Sequence, residues 1–345
     1  MTGSDTMGLK PLIAKLAEGE NLSEAEAEGA FEIMMSGAAT PAQIGGLLIG
    51  LRIRGETVAE ITGATRAMRA KARIVKAPPN AIDTCGTGGD GSGSFNISTA
   101  AALVVAGCGV PVAKHGNRGL TSRSGSSEVL AELGVKIDAG DDAIQQCLWR
   151  GGIGFLMAPL YHAATRHVAA ARLELGTRTI FNLLGPLANP AGTRFQVIGV
   201  YSPKWVEPLA LVLGRLGTER AWVVHGEGLD ELTTTGISQV AELRDGKVIT
   251  FEVTPEEAGL PMAKPSDLKG GDPAENARTM RRLLDGERGP IRDIVLMNAG
   301  AALVVAGQAE YLRQGVERAA QSIDSGAARD TLSRLIEITN EPIGT

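Results

Sequence analysis

Gly86, Gly88, Gly89 and Gly91 fall within one six-residue window of DTCGTGGDG, and FNIST follows at 95–99. Glycine lets the backbone take positive φ and come close to a ligand, so successive N–H groups can point at one anion. Asn96, Ser98 and Thr99 stand where a helix should begin, with Ala100 to Gly107 as its apolar body. Unpaired N–H groups and the positive dipole end favour negative charge there. Capping by one of these side chains is the competing reading. A four-glycine turn beside three such residues nevertheless points to phosphate.

Lys114, His115, Asn117 and Arg118 follow a strand read at Val110 to Ala113, where ligand sites of open α/β sheets gather. Ser122, Ser124, Ser126 and Ser127 then open a helix predicted at 128–133, which leaves room for a second phosphate cradle. No Gly-Lys-Ser/Thr stands in register for a Walker loop, and Lys114 and His115 occupy the region where a dinucleotide site needs an acid. Both nucleotide motifs are therefore excluded. Asp230 and Glu231, in HGEGLDELT, are two adjacent carboxylates of the kind that bind Mg²⁺ together with phosphate oxygens and water. His162, His167 and His225 show no metal-ligand spacing, and no Ser-His-Asp or Cys-His arrangement supports covalent catalysis. The residues alone imply a Mg²⁺-assisted enzyme acting on a phosphorylated, diphosphate-bearing ligand.

These groups must be positioned by two kinds of architecture. The first seventy or so residues read as helices. Leu9, Leu12, Ile13 and Leu16 form one apolar stripe, and Ile44, Leu47, Leu48 and Leu51 form another. Ser23 with Glu26, Thr40 with Gln43 and Thr57 with Glu60 have capping-box spacing, so helices should begin near 24, 41 and 58, with Gly37 and Gly55 ending two of them. Four such helices make a thin core, so one apolar face should pack on something else, with another subunit a candidate. From Ile82 onward β-rich runs alternate with helical ones such as 203–216. Strands are read at 110–113, 135–137, 153–157, 197–201 and 221–224, giving a mostly parallel sheet covered by helices. Asp245-Gly246 between 242–244 and 248–253 signals an antiparallel hairpin.

The 345 residues carry 21% charged and only 3% aromatic side chains and a net charge of −5, which argues against a nucleic-acid binder that works by a basic track and ring stacking. Three cysteines without metal spacing fit buried free thiols in a reducing compartment. No signal peptide or membrane-spanning run is seen, so a cytoplasmic location is expected. AALVVAG occurs at 101–107 and again at 301–307; two buried helices drawn from one Ala/Val palette explain it better than a functional repeat.

CGTGGDG at 85–91, FNIST at 95–99, KHGNR at 114–118, GS at 125–126 before a helix, LGTRTIFNLLGPLANP at 175–190 and GLDEL at 228–232 together resemble the anthranilate phosphoribosyltransferase family. TPAQIGGLLIGLRIRGET at 40–57 is similar to that family's N-terminal helices, so the likeness spans nearly the whole chain. It implies a small helical domain at 1–75, joined by helices around 165–185 and forming a homodimer, and an α/β domain at 76–164 and 186–345. The fold class so implied is α/β of the nucleoside phosphorylase/phosphoribosyltransferase kind.

The same resemblance implies contacts to 5-phosphoribosyl diphosphate from Gly86, Gly89, Asp90, Ser94, Asn96, Ile97, Ser98 and Thr99. It adds Lys114, His115, Gly116, Asn117, Arg118, Gly119, Leu120, Thr121, Ser122 and Ser126 from the loop that follows. Gly86, Asn117 and Arg172 would contact anthranilate, Arg172 from across a hinge, and Ser98, Asp230 and Glu231 would hold Mg²⁺. Ser94 replaces the family's Thr, and Gly119-Leu120-Thr121 replaces Ser-Val-Ser, so no hydroxyl is available at 119.

An aryl amine is already neutral near pH 7, so no acid or base residue is expected. Leaving-group stabilisation by Mg²⁺ and the loop 86–99 should carry the reaction. A pyrimidine nucleoside phosphorylase and a non-catalytic binder of single-stranded nucleic acid are the alternatives on this fold.

Overall fold

The computed structural model describes residues 8–119 and 123–341. The chain divides into two compact units, Met1–Arg73 with Tyr161–Ala188, and Ile74–Leu160 with Asn189–Thr345.

The first unit opens with α1 (Leu9–Ala17), α2 (Glu24–Ser36), α3 (Pro41–Arg54) and α4 (Val58–Ala70). Ser23, Thr40 and Thr57 each cap their helix reciprocally with the residue three positions on, so the expected starts at 24, 41 and 58 are met. Gly37 ends α2 at φ +81°, a left-handed conformation natural to glycine. The stripes Leu9/Leu12/Leu16 and Ile44/Leu47/Leu48/Leu51 are buried. Glu60, wholly buried, ties the helices together: it accepts the Leu22 and Thr57 N–H groups, both at 2.8 Å, and pairs with Arg54.

The second unit begins with β1 (Ile82–Gly86), α5 (Ile97–Gly107), β2 (Val112–Gly116), α6 (Ser126–Glu132), α7 (Asp141–Gln146) and β3 (Ile153–Met157). A short α8 (Ala158–Tyr161) returns the chain to the first unit, which α9 (Arg166–Leu175) and α10 (Phe181–Leu187) complete. Then come β4 (Phe195–Gly199), α11 (Val206–Arg215), β5 (Arg220–Gly226), β6 (Ser238–Arg244) and β7 (Lys247–Val253). Four helices close the chain: α12 (Pro273–Leu284), α13 (Pro290–Val305), α14 (Leu312–Asp324) and α15 (Ala327–Asn340).

The seven strands form one sheet in the order β3-β2-β1-β4-β5-β6-β7, with the first five parallel and the last two antiparallel. Both faces are covered. Trp222, Val224 and Val240 join the core built by α5 and α13, while Leu243, of opposite parity, lies against Gly214 of α11. The two AALVVAG copies lie in α5 and across the end of α13, and these helices pack on each other, as the buried-helix reading expects. Asp245 and Gly246, at φ +51° and +73°, turn the β6–β7 hairpin.

Several sequence expectations shift: the strand read at 197–201 runs from Phe195 to Gly199, and the helix predicted at 128–133 is Ser126–Glu132. The strand read at 110–113 begins at Val112, because Val110 gives its N–H to the end of α5 and Pro111 has none to give. Lys114 and His115 therefore lie inside β2 rather than after it. The segment 135–137 is no strand: the Val135 N–H returns to Leu130 O at 3.0 Å and that of Lys136 goes to Thr339 Oγ1 at 3.3 Å, leaving no ladder to build. The unit boundaries lie at 73 and 161–188, where Arg73 N–H bonds Tyr161 O at 2.9 Å. All three cysteines are free.

Candidate functional site

Because β1, β2, β4 and β5 run parallel, the loops that leave their carboxyl ends emerge on one rim of the sheet. The strand order reverses between β1 and β4, whose ends pair as Gly86 with Gly199. The loop after β5 folds back over that junction through a reciprocal Gly226–Leu229 pair, with bonds of 3.1 and 2.9 Å. This brings Asp230 onto both glycines. A Cβ on Gly199 would stand 1.5 Å from the Asp230 carbonyl oxygen, and one on Gly86 2.2 Å from its Oδ2, so only glycine fits at either place.

The glycine-rich loop then locks onto Asp230. Gly88 N–H donates to Asp230 Oδ2 at 2.7 Å, and Asp230 N–H donates to Asp90 Oδ2 at 3.4 Å. Gly88, Gly89, Gly91 and Gly93 all have φ between +63° and +75°, which gives the loop its tight course. Ser92 N–H returns to Asp90 Oδ1 at 3.0 Å, and Lys269 Nζ donates to the Ser92 carbonyl.

At the start of α5 none of the three candidate side chains caps the helix. The Ser98 N–H is taken instead by Glu231 Oε1 at 3.1 Å. Asn96 is used elsewhere: it accepts from Ser124 Oγ at 3.1 Å and from Asn276 Nδ2 at 2.9 Å, and it donates to Ser124 O at 3.2 Å. Asn96 thus joins the glycine loop to the loop after β2. Ile97 and Thr99 are 1% and 2% exposed, so their side chains belong to the core.

Lys114 is 3% exposed, and its Nζ donates to Thr84 O at 2.6 Å and Ser98 Oγ at 3.4 Å. His115 is buried beside it. Beyond β2, Asn117 O accepts from Ser126 Oγ at 3.1 Å, and Glu128 Oε2 receives the N–H groups of both Gly119 and Gly125, at 3.1 and 2.6 Å. Glu128 closes the loop and was not among the expected site residues. Asn117 and Arg118 are exposed on it, and Gly116 packs so closely that a Cβ would stand 2.4 Å from Ser126 Oγ. Leu120, Thr121 and Ser122 lie outside the described residues.

Burial raises the carboxyl pKa of both Asp230 and Glu231, as does the negative charge of neighbouring acids. Lys114 works the other way on Glu231. Among the described residues no group of three or more His, Cys, Asp and Glu is placed to hold a metal ion; the two carboxylates and the Ser98 hydroxyl are the donors expected from the sequence. That donor set suits Mg²⁺, which keeps waters and shares phosphate oxygens. Two crowded carboxylates, one of them bonded to the Ser98 N–H at the start of α5, are residues that such a cation would fit.

Arg172 belongs to the other unit. It lies in the last turn of α9 with its guanidinium 4.8 Å from the centre of the Phe181 ring, and burial lowers its pKa.

The chain matches the glycosyl transferase family, helical bundle domain, over residues 10–72, and the glycosyl transferase family, a/b domain, over 78–329. It is 63% identical over 333 residues to the anthranilate phosphoribosyltransferase of Paramagnetospirillum magneticum, covering 96% of each chain. To that of Rhodospirillum rubrum it is also 63% identical, over 97% of this chain and 96% of the relative. Among solved structures, the Thermus thermophilus enzyme superposes with a TM-score of 0.90 at 46% identity, covering 95% of this chain and 98% of the other. The Saccharomyces cerevisiae enzyme in complex with PRPP and Mg gives 0.88 at 28%, covering 97% and 98%.

Proposed function

Because the chain belongs to the anthranilate phosphoribosyltransferase family, we propose that the loops on the sheet rim hold the sugar diphosphate of that reaction. The protein transfers the phosphoribosyl group of 5-phosphoribosyl diphosphate to the amine of anthranilate, giving N-(5-phosphoribosyl)anthranilate and diphosphate in tryptophan biosynthesis. The nucleoside phosphorylase and nucleic-acid readings find no support among these relatives.

The observation that carries the site assignment is the bond from Gly88 N–H to Asp230 Oδ2 at 2.7 Å, which fixes the phosphate-type loop against the metal-type carboxylates. In this reading the residues 86–99, through Gly86, Gly89, Asp90, Ser94, Asn96, Ser98 and Thr99, present N–H and hydroxyl donors to the diphosphate, Thr99 by backbone alone, while Ile97, whose N–H bonds Phe95 O at 2.8 Å, shapes the turn into the helix. Lys114 adds the positive charge, and His115, Gly116, Asn117, Arg118, Gly119 and Ser126 shape the wall beside it. Asp230, Glu231 and Ser98 would hold Mg²⁺, which when bound offsets negative charge developing on the departing diphosphate. No residue has to remove a proton before attack, since the aryl amine is neutral. The protein's task is to hold amine and C1 in line and to stabilise the leaving group.

Gly86, Asn117 and Arg172 are assigned to anthranilate, with the Arg172 guanidinium binding its carboxylate. The helical unit is assigned to a homodimer, in which a second copy would cover apolar side chains such as Ile53 and Leu173, 81% and 83% exposed here. A cytoplasmic location fits three free thiols, and no helix among the described residues is long and apolar enough to cross a membrane.

Anthranilate fluorescence tests the function. It should fall when protein, Mg²⁺ and 5-phosphoribosyl diphosphate are all present, and stay constant when the sugar is omitted. A fall that is independent of the sugar would refute the assignment.

A further inference from the structure

Asp83 is a wholly buried carboxylate to which the reaction above gives no role. It lies where the sheet changes construction. β1 pairs with β4 through all five residues, 82–86, but with β2 only at Ile82–Val112. An in-register parallel ladder continuing from that pair would send the Thr84 N–H to Ala113 O and the His115 N–H to Thr84 O.

Side chains take over three of those four groups. The His115 N–H donates to Asp83 Oδ1 at 3.1 Å, Thr84 O accepts from Lys114 Nζ at 2.6 Å, and Ala113 O accepts from Asn189 Nδ2 at 2.8 Å. Asn189 also donates to Asp83 Oδ2 at 2.7 Å, so one amide spans carboxylate and strand. The rung between His115 and Thr84 is thus opened, and a negative and a positive charge are inserted in place of one neutral bond. A carboxylate taken so far from water needs such partners. Burial still raises its pKa, while Lys114 and these donors lower it.

We propose that Asp83, braced by Asn189, is a positioning residue for the sugar diphosphate: it keeps β1 and β2 apart and holds the Lys114 ammonium at Thr84 O and Ser98 Oγ, ready for phosphate. With an amide in place of the carboxylate only one oxygen is left for two donors, the His115 N–H and Asn189 Nδ2, so the brace is broken, the gap can close and the ammonium is displaced. Asp83 itself touches no substrate. The inference rests on the assignment of Lys114 to 5-phosphoribosyl diphosphate.

The test is a double-mutant cycle on the full-length protein, reading KM for each substrate. Lys114→Met and Asp83→Asn are each expected to raise the KM for 5-phosphoribosyl diphosphate about tenfold, as loss of a charge-assisted contact would, and to move that for anthranilate less than about twofold. In the Lys114→Met background Asp83→Asn should add less than about twofold, because its effect runs through the lysine. Multiplying effects, or an equal rise for both substrates, would overturn the inference while leaving Lys114 in the site. An unchanged KM in Lys114→Met would instead refute the site assignment and the inference with it. Should Asp83→Asn fail to fold, Asn189→Ala keeps both charges and is expected to raise the same KM about threefold, again only when Lys114 is present. No rise would overturn the inference.

Discussion

Glu231 Oε1 accepts the Ser98 N–H at 3.1 Å across 133 positions of sequence, so a carboxylate from the loop after β5 closes the N-terminus of α5. The place where helix geometry most favours an anion is thus partly held by the protein's own negative charge. A diphosphate brought there meets like charge on Asp230 and Glu231, and a divalent cation reconciles the two. In the proposed site the carboxylates would therefore serve the phosphate as well as the metal.

Glu231→Gln keeps an oxygen for the Ser98 N–H and removes the charge. The Mg²⁺ concentration for half-maximal rate is expected to rise about tenfold or more, since ligand charge sets affinity for hard cations. Thermal unfolding should change little. Asp230→Asn should act in the same direction, and an unchanged Mg²⁺ titration in both variants would exclude them as ligands.

Arg172→Ala removes the proposed partner of the anthranilate carboxylate. Its KM for anthranilate should rise roughly tenfold to a hundredfold, the range for a lost bond between charged groups, with that for 5-phosphoribosyl diphosphate nearly constant. Steady-state kinetics with each substrate varied decides the matter, and equal effects count against the role.

Two glycines of one loop should behave differently. Gly86→Ala drives a Cβ to 2.2 Å from Asp230 Oδ2 and should lower kcat/KM by about a hundredfold, the scale of an ångström misplacement. Gly88 has open space around its Cβ position but φ +65°, so Gly88→Ala should cost only about 1 kcal/mol of backbone strain. Kinetics and melting of the two variants side by side would show the order reversed if the Asp230 contact did not matter.

The parts legible in sequence were those set by near neighbours. Thr57 and Glu60 cap α4 from three residues apart, and Asp245-Gly246 turns a hairpin on its own, so local chemistry placed them. Val135 shows the limit: a β-branched residue suggests a strand, but its N–H was already claimed by the end of α6. Asp83, Glu128 and Asn189 escaped notice because each acts through partners that only tertiary folding supplies. An acid within the apolar run at 81–85 and an Asn before Pro190 were the only signals available. The Glu231 cap was invisible for the same reason, since nothing near Ser98 announces it.

His162 is buried, and burial pushes its pKa down from the ordinary 6.5 to about 4. A folded-state value below the unfolded one means that protonation favours unfolding. The stability is full above 6.5 and is lost as pH falls from there toward 4, by about 3 kcal/mol at most. Melting temperatures at pH 7.5 and pH 5 should therefore differ more in the wild type than in His162→Gln, in which this titration is absent. An equal drop in both would contradict the assignment.

The central claim is that one rim of the sheet binds the sugar diphosphate between the loop 86–99 and Lys114, with Mg²⁺ on Asp230 and Glu231. A crystal grown with 5-phosphoribosyl diphosphate and Mg²⁺ tests it most directly. Diphosphate density touching the Ser98 and Lys114 side chains, with the cation on the two carboxylates, is the expected result. Diphosphate bound away from both loops, or a cation with neither carboxylate among its ligands, would contradict it.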